Sequence, residues 1–139
     1  MASYDTEGAM RRAGVQDEHV EETGALISAE KVIGTSVYNA AGDNLGSIHD
    51  LMLDKRRGRV EYAVMSFGGF LGIGQKYHPL PWHVLTYDGS KGGYNIDVTP
   101  EQLRAAPAYS EDELGRLRAV RDYDRVSSYY GSIGYPPIV

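Results

Sequence analysis

Residues 58–85, GRVEYAVMSFGGFLGIGQKYHPLPWHVL, decide the fold. Val60, Tyr62 and Val64 alternate with Glu61, Ala63 and Met65. Strand side chains project to opposite faces with period two, so an alternation that is partly apolar on both faces predicts a central β-strand. A glycine-rich apolar stretch, residues 68–76, comes next, and residues 77–87 then read as extended chain. Pro79 and Pro81 cannot donate to a hydrogen-bond ladder, which puts this second strand at a sheet edge or at a strand start.

Working outward, Lys55-Arg56-Arg57-Gly58 is a hairpin turn, and residues 45–54 form the strand before it. Ile48 and Leu51 cannot share one face of a regular strand, so a bulge is expected near His49-Asp50. Ala41-Gly42-Asp43-Asn44 is a turn cluster, residues 35–38 a strand, and residues 30–34 a short helical turn. Downstream, residues 88–93 form another turn, and Tyr94, Ile96 and Val98 alternate as a half-buried strand. Thr99-Pro100-Glu101-Gln102 is a capping box with proline at the first helical position. Leu103 is that helix's apolar contact, and Pro107 ends the element. A second capping box, Ser110 to Glu113, opens a helix through about residue 123 with a thin stripe of Leu114, Leu117 and Val120. The end, SSYYGSIGYPPIV, is expected to be irregular.

The organisation is therefore a flexible arm over residues 1–24, a barrel domain over 25–109, and a C-terminal helix with a Tyr/Gly/Pro-rich tail over 110–139. The polar arm lacks the apolar surface that would offset its ordering entropy. About six short strands with turn signals between them point to an all-β fold, a small sandwich or barrel. No long helices separate the strands, which argues against a parallel βαβ sheet.

Composition bounds the function. The 139 residues suit one domain and contain no cysteine, so disulfides and thiolate metal sites are excluded. The net charge of −5 is unfavourable for binding nucleic acid or an anionic membrane. No apolar run approaches the ~18 residues that would span a bilayer, and the first residues lack a signal-peptide core. A cytoplasmic protein is the expectation. Seventeen glycines and eleven tyrosines stand against two phenylalanines and one tryptophan, which fits tight turns between short strands.

Residues 26–109 resemble the PRC-barrel family, named after the cytoplasmic domain of the photosynthetic reaction-centre H subunit. The match is carried by Val32-Ile33-Gly34, Gly42-Asp43-Asn44-Leu45-Gly46-Ser47-Ile48 and residues 50–54. Gly58-Arg59-Val60-Glu61-Tyr62-Ala63-Val64, Gly68-Gly69-Phe70-Leu71-Gly72-Ile73-Gly74, Pro81-Trp82 and Thr99-Pro100-Glu101-Gln102-Leu103 complete it in order. The resemblance implies a PRC-type β-barrel of about six strands, with short C-terminal helical segments here, acting mainly in interaction and assembly. Stand-alone bacterial members are similar in being homo-oligomers without assigned chemistry, and the family offers no shared catalytic residues. The H subunit's membrane helix has no counterpart here. Nor does the barrel that precedes the PRC barrel in ribosome-maturation factors.

The glycine stretch is close to a phosphate loop but departs from it. Gln75 separates the last glycine from Lys76, and Tyr77 stands where Ser or Thr would reach a metal. Phe70, Leu71 and Ile73 at its tip need burial, either over the barrel mouth or in a second subunit. With Trp82, Tyr129 and Tyr130 they form a candidate interface for a homo-oligomer or a protein partner. Lys55, Arg56, Arg57 and Arg59 are the candidate nucleic-acid contact, against which stand the acidic balance and the absence of interleaved aromatics. His78 and His83, five apart, suit neither one helix face nor one strand face. Asp43, Asp50, Asp54, Glu61, Asp88 and Asp97 fit turns and polar strand faces. There is no HExxH or GxSxG pattern, so no catalytic, metal or cofactor site is expected. The reading is a non-enzymatic, self-associating protein–protein interaction or assembly module. The alternative is an RNA- or ribosome-associated accessory factor using the basic turn. A third reading, small-molecule or proton handling near His78, His83 and Asp50, stands behind both.

Overall fold

The computed structural model describes residues 24–68, 74–118 and 120–135. Six strands form one sheet: β1 Ser36–Tyr38, β2 Asn44–Asp54, β3 Arg59–Phe67, β4 Lys76–Pro81, β5 Thr86–Asp88 and β6 Gly93–Asn95. Their spatial order is β4-β3-β2-β1-β6-β5. All neighbours are antiparallel except β1 and β6, where Val37 lies beside Tyr94 and Tyr38 beside Asn95.

The central position of the 59–67 strand follows from its pattern, since Ala63, Val64 and Met65 are all fully buried. The bulge expected near His49-Asp50 is present. The β2–β3 register shifts between Ile48 and Asp50, and again between Met52 and Leu53. Gly46 permits a close approach at the start of β2, because a Cβ there would lie 1.9 Å from the Ser66 carbonyl oxygen.

β4 is an edge strand, as its prolines require. Tyr77 exchanges two backbone hydrogen bonds with Tyr109, each 2.9 Å, on the side away from β3. Backbone groups alternate sides along an antiparallel strand, so the amide positions of Pro79 and Pro81 also face away from β3. The outer edge of β4 is thus closed by Tyr109 and then emptied of donors by two prolines.

The six-stranded, mostly-β architecture is the one expected of a PRC-type barrel, but among the described residues hydrogen bonds do not close the sheet. Its two edge strands, β4 and β5, are instead consecutive in the chain, and a 3-10 turn, Trp82–Val84, joins them. One core is still enclosed. Val37, Leu45, Ile48, Met65, Leu80 and Tyr94 belong to a single buried cluster drawn from five strands.

Helices cover the remainder. α1, Ala29–Val32, starts at Ser28, whose side chain accepts from the Glu30 N–H. α2, Pro100–Ala105, carries the full capping box read from the sequence, and Leu103 is completely buried. A 3-10 stretch, Glu111–Arg118, is opened by the Glu113 carboxylate accepting from the Ser110 N–H at 2.9 Å. α3 then runs from Val120 to Ser132. The tail expected to be irregular is therefore helical as far as Ser132. Tyr123, Val126 and Tyr130 recur at helical spacing, and that face is what tertiary packing buries. Val126 and Tyr130 sit in the same core cluster as Val37 and Leu80, so the segment set apart as 110–139 shares the barrel's interior.

Candidate functional site

Residues 109–135 form a strap across the sheet. A second apolar cluster, Val64, Tyr77 and Tyr109, is backed by Met52, Leu114 and Tyr123. Tyr62 stacks on Tyr123 with ring centroids 5.0 Å apart. Its hydroxyl lies 2.7 Å from the Ser127 hydroxyl and donates to the Tyr123 carbonyl at 3.1 Å. Burial pushes the Tyr62 phenol pKa up, so it stays a neutral donor. Further along, Tyr129 donates to the Gln102 carbonyl at 2.5 Å and Tyr135 to the Asp97 carbonyl at 3.0 Å. Arg125 donates to the Tyr109 hydroxyl at 2.8 Å. Four tyrosines, Tyr62, Tyr109, Tyr129 and Tyr135, thus act as apolar cover with a polar tip, a use their side chain suits.

Two buried polar atoms lack a hydrogen-bond partner among the described residues, the Tyr130 hydroxyl and His78 Nδ1. His78 meets Phe67 edge-on at 5.4 Å. Burial, assisted by Lys76, lowers its pKa to about 4, so the imidazole is neutral at ordinary pH.

Of the expected interface residues, Phe70, Leu71 and Ile73 lie outside the described residues. Trp82 is half-buried against Tyr94, with centroids 5.5 Å apart, and Tyr94 in turn contacts Tyr87. Tyr129, on α3, is half-buried against α2. Tyr130 is corrected as a surface anchor: it is wholly inside its own chain. The apolar side chains left in solvent are others: Leu26 at 92% exposure, with Ile27, Ile33, Leu53 and Tyr87 more moderately exposed. Leu26 and Ile27 stand at the start of the barrel domain expected over 25–109, and nothing in their spacing signals exposure.

The basic residues do share the β2–β3 turn. Asp54 organises it by accepting from the Arg56 and Arg57 N–H groups at 2.9 and 3.1 Å. Those backbone bonds hold its carboxyl below the usual carboxylate range. Arg57 also pairs with Asp54 at 3.6 Å, and Arg59 with Glu61 at 3.2 Å. Two of the four cations are thus offset locally, and Lys55 and Arg56 project into solvent.

The residues of the third reading do not converge. His78 is sealed in the core, Asp50 accepts from the Leu51 N–H, and His83 is exposed. His83 borders a groove of about 290 Å³ with Asn39, Thr86, Lys91, Asn95 and Tyr135. Its polar groups are engaged in holding the fold. Asn39 binds the Ala41 and Asp43 N–H groups, and Asn95 bridges Asp88 and Lys91. Among the described residues no group of three or more His, Asp or Glu is placed to hold a metal. No helix there is long and apolar enough to cross a membrane.

A curled, mostly antiparallel six-stranded sheet, bound by a C-terminal helix and presenting apolar side chains at its N-terminal lead-in, defines a small β-barrel-type domain. The chain belongs to the PRC-barrel domain family, whose sequence pattern matches residues 25–103. Among solved structures it is similar to a Pseudomonas aeruginosa protein provisionally assigned as a 16S ribosomal RNA processing protein, RimM. Identity is 17% and the TM-score 0.38, over 57% of this chain and 48% of that one, so less than half of that structure is spanned. At that overlap the likeness bears on neither fold nor function. No curated protein matches.

Proposed function

We propose that this chain is a non-enzymatic interaction module, acting in the cytoplasm, that associates with copies of itself. The observation that supports this reading is the apolar lead-in. Leu26 is 92% exposed, with Ile27 and Ile33 about half exposed on the same short stretch. Burying an aliphatic side chain of this size is worth roughly 1.5–3 kcal/mol, so a cluster of them is an incentive to associate. Membership of a family that resembles an assembly module agrees with it.

The test is mass in solution by light scattering over a wide range of concentration, for wild type and Leu26→Asp/Ile27→Asp. Both residues are exposed, so the fold tolerates the change. The expected result is a wild-type mass above the 15.3 kDa of one chain, lowered by the double variant. A single-chain mass throughout would reject the reading.

One observation favours RNA contact instead. The Asp54 clamp holds the turn rigid with Lys55 and Arg56 outward. On that reading, RNA binding at low salt is lost in Lys55→Glu/Arg56→Glu and weakens steeply as salt rises. Absence of binding at low salt would remove it.

A further inference from the structure

We propose that the outer edge of β5 is a pairing surface whose occupant is β5 of a second copy, the two strands lying antiparallel about a two-fold axis at Tyr87. This rests on the reading that the chain meets copies of itself, and it names the residues through which they meet.

The two edges of the sheet are treated differently. β4 is guarded: Tyr109 pairs with Tyr77, and Pro79 and Pro81 remove the donors beyond it. β5 has no such guard. Thr86-Tyr87-Asp88 holds neither proline nor lysine, and its ladder to β6 runs without a bulge. Its one charged side chain is folded back into the turn that follows. There the Asp88 carboxylate accepts from the Ser90 N–H at 3.0 Å, the Ser90 hydroxyl at 2.6 Å and the Asn95 side-chain amide at 3.0 Å. Of the devices that blunt a sheet edge, only shortness is left.

That turn also fixes the direction of the free groups. The Asp88 carbonyl accepts from the Lys91 and Gly92 N–H groups, so it points towards β6. Backbone groups alternate sides along an antiparallel strand, so the Tyr87 N–H and C=O point the other way, off the sheet. Among the described residues neither group has a partner.

A donor and an acceptor on one residue are self-complementary. Two copies of Tyr87 related by a two-fold axis exchange two backbone hydrogen bonds, the arrangement that Tyr77 and Tyr109 already make at the opposite edge. The side chains agree with it. Tyr87 is 39% exposed and meets Tyr94, its partner across the β5–β6 ladder, with ring centroids 5.3 Å apart. Tyr94 meets Trp82 in turn at 5.5 Å. Pairing sets the two Tyr87 rings beside each other and runs this aromatic row from one subunit into the next, a cross-strand contact that stabilises sheets. A second β5 thus supplies both the backbone groups and the matching ring. Three residues bury little area, so the association is of the weak, concentration-dependent kind.

The test is amide hydrogen exchange at Tyr87 in the full chain at low and high concentration, read beside mass by light scattering. Exchange at Tyr87 should slow as the mass rises above that of one chain. A mass that rises while Tyr87 exchanges as fast as before overturns the pairing and leaves self-association standing through another surface, such as Leu26 and Ile27. A single-chain mass at every concentration overturns both readings, and protection of Tyr87 in that case would assign the edge to the chain's own residues. Tyr87→Pro removes the outward N–H and no ladder bond to β6, so its urea midpoint in dilute solution should hold while association is lost. Undiminished association of that variant would overturn the pairing. Tyr87→Thr keeps both backbone groups and loses the ring, and it should associate more weakly than wild type but more strongly than Tyr87→Pro.

Discussion

The two faces of β3 are buried by different means. Ala63 and Met65 face neighbours such as Leu80 and Gly46, inside the main core cluster. Tyr62 and Val64 on the opposite face are covered by Tyr109, Leu114 and Tyr123, a segment that arrives from the far end of the chain. The inner face needs only apolar volume, because dispersion and hydrophobic burial are not directional. The outer face needs hydroxyls in set places, since the strap is positioned by tyrosine O–H groups meeting backbone carbonyls. Inner-face substitutions should therefore act through volume, and outer-face ones through single atoms.

The largest effect belongs to the inner face. Leu80→Ala should lower stability by about 2–5 kcal/mol in urea unfolding, because Leu80 is fully buried at the centre of the core. A loss below 1 kcal/mol would mean that the core collapses readily around β4 and that the contrast is overdrawn.

His78 supplies the next. Its pKa falls from 6.5 to about 4 on folding, so the unfolded chain binds the proton more readily between those values. Stability is complete above about pH 6.5 and declines as pH falls towards 4, by roughly 3 kcal/mol from this group. His78→Leu should flatten that part of the urea-midpoint profile, and identical profiles for the two proteins would rule the mechanism out.

Tyr62→Phe removes one hydroxyl and nothing else. The expected loss is about 1 kcal/mol, because the Tyr123 carbonyl and Ser127 hydroxyl lose a partner at a half-wet site. Tyr130→Phe is the converse and the smallest. Its hydroxyl is buried without a partner, so deletion should leave stability unchanged or raise it by a few tenths of a kcal/mol. If both variants lost the same amount, the strap would be held by aromatic volume alone.

Much of the sheet was legible because its rules are local. The parity break between Ile48 and Leu51 located the bulge, the prolines of β4 located an edge, and Thr99 to Gln102 located a helix start. α3 was missed because Ser127, Ser128 and Gly131 are weak helix formers, and its register is fixed by partners far away in sequence. The Tyr62–Tyr123 bond spans 61 positions. The spacing of Tyr123, Val126 and Tyr130 was the available signal. At the candidate site, the basic turn was placed correctly, but its offsetting by Asp54 and Glu61 depends on side-chain geometry that composition does not reveal. The exposure of Leu26 and Ile27 was not legible, because an apolar residue ahead of a short helix looks the same whether or not a neighbour covers it.

The parallel seam between β1 and β6 bears on how the chain is made. β2, β3 and β4 follow one another as antiparallel neighbours and can zip together soon after they are synthesised. β1 is translated before all of them, yet one of its flanks stays bare until residues 93–95 emerge. The strap arrives later still. A nascent chain therefore carries an unfinished sheet with an exposed strand edge for most of its synthesis, the state in which two neighbouring chains on one message are best placed to complete each other.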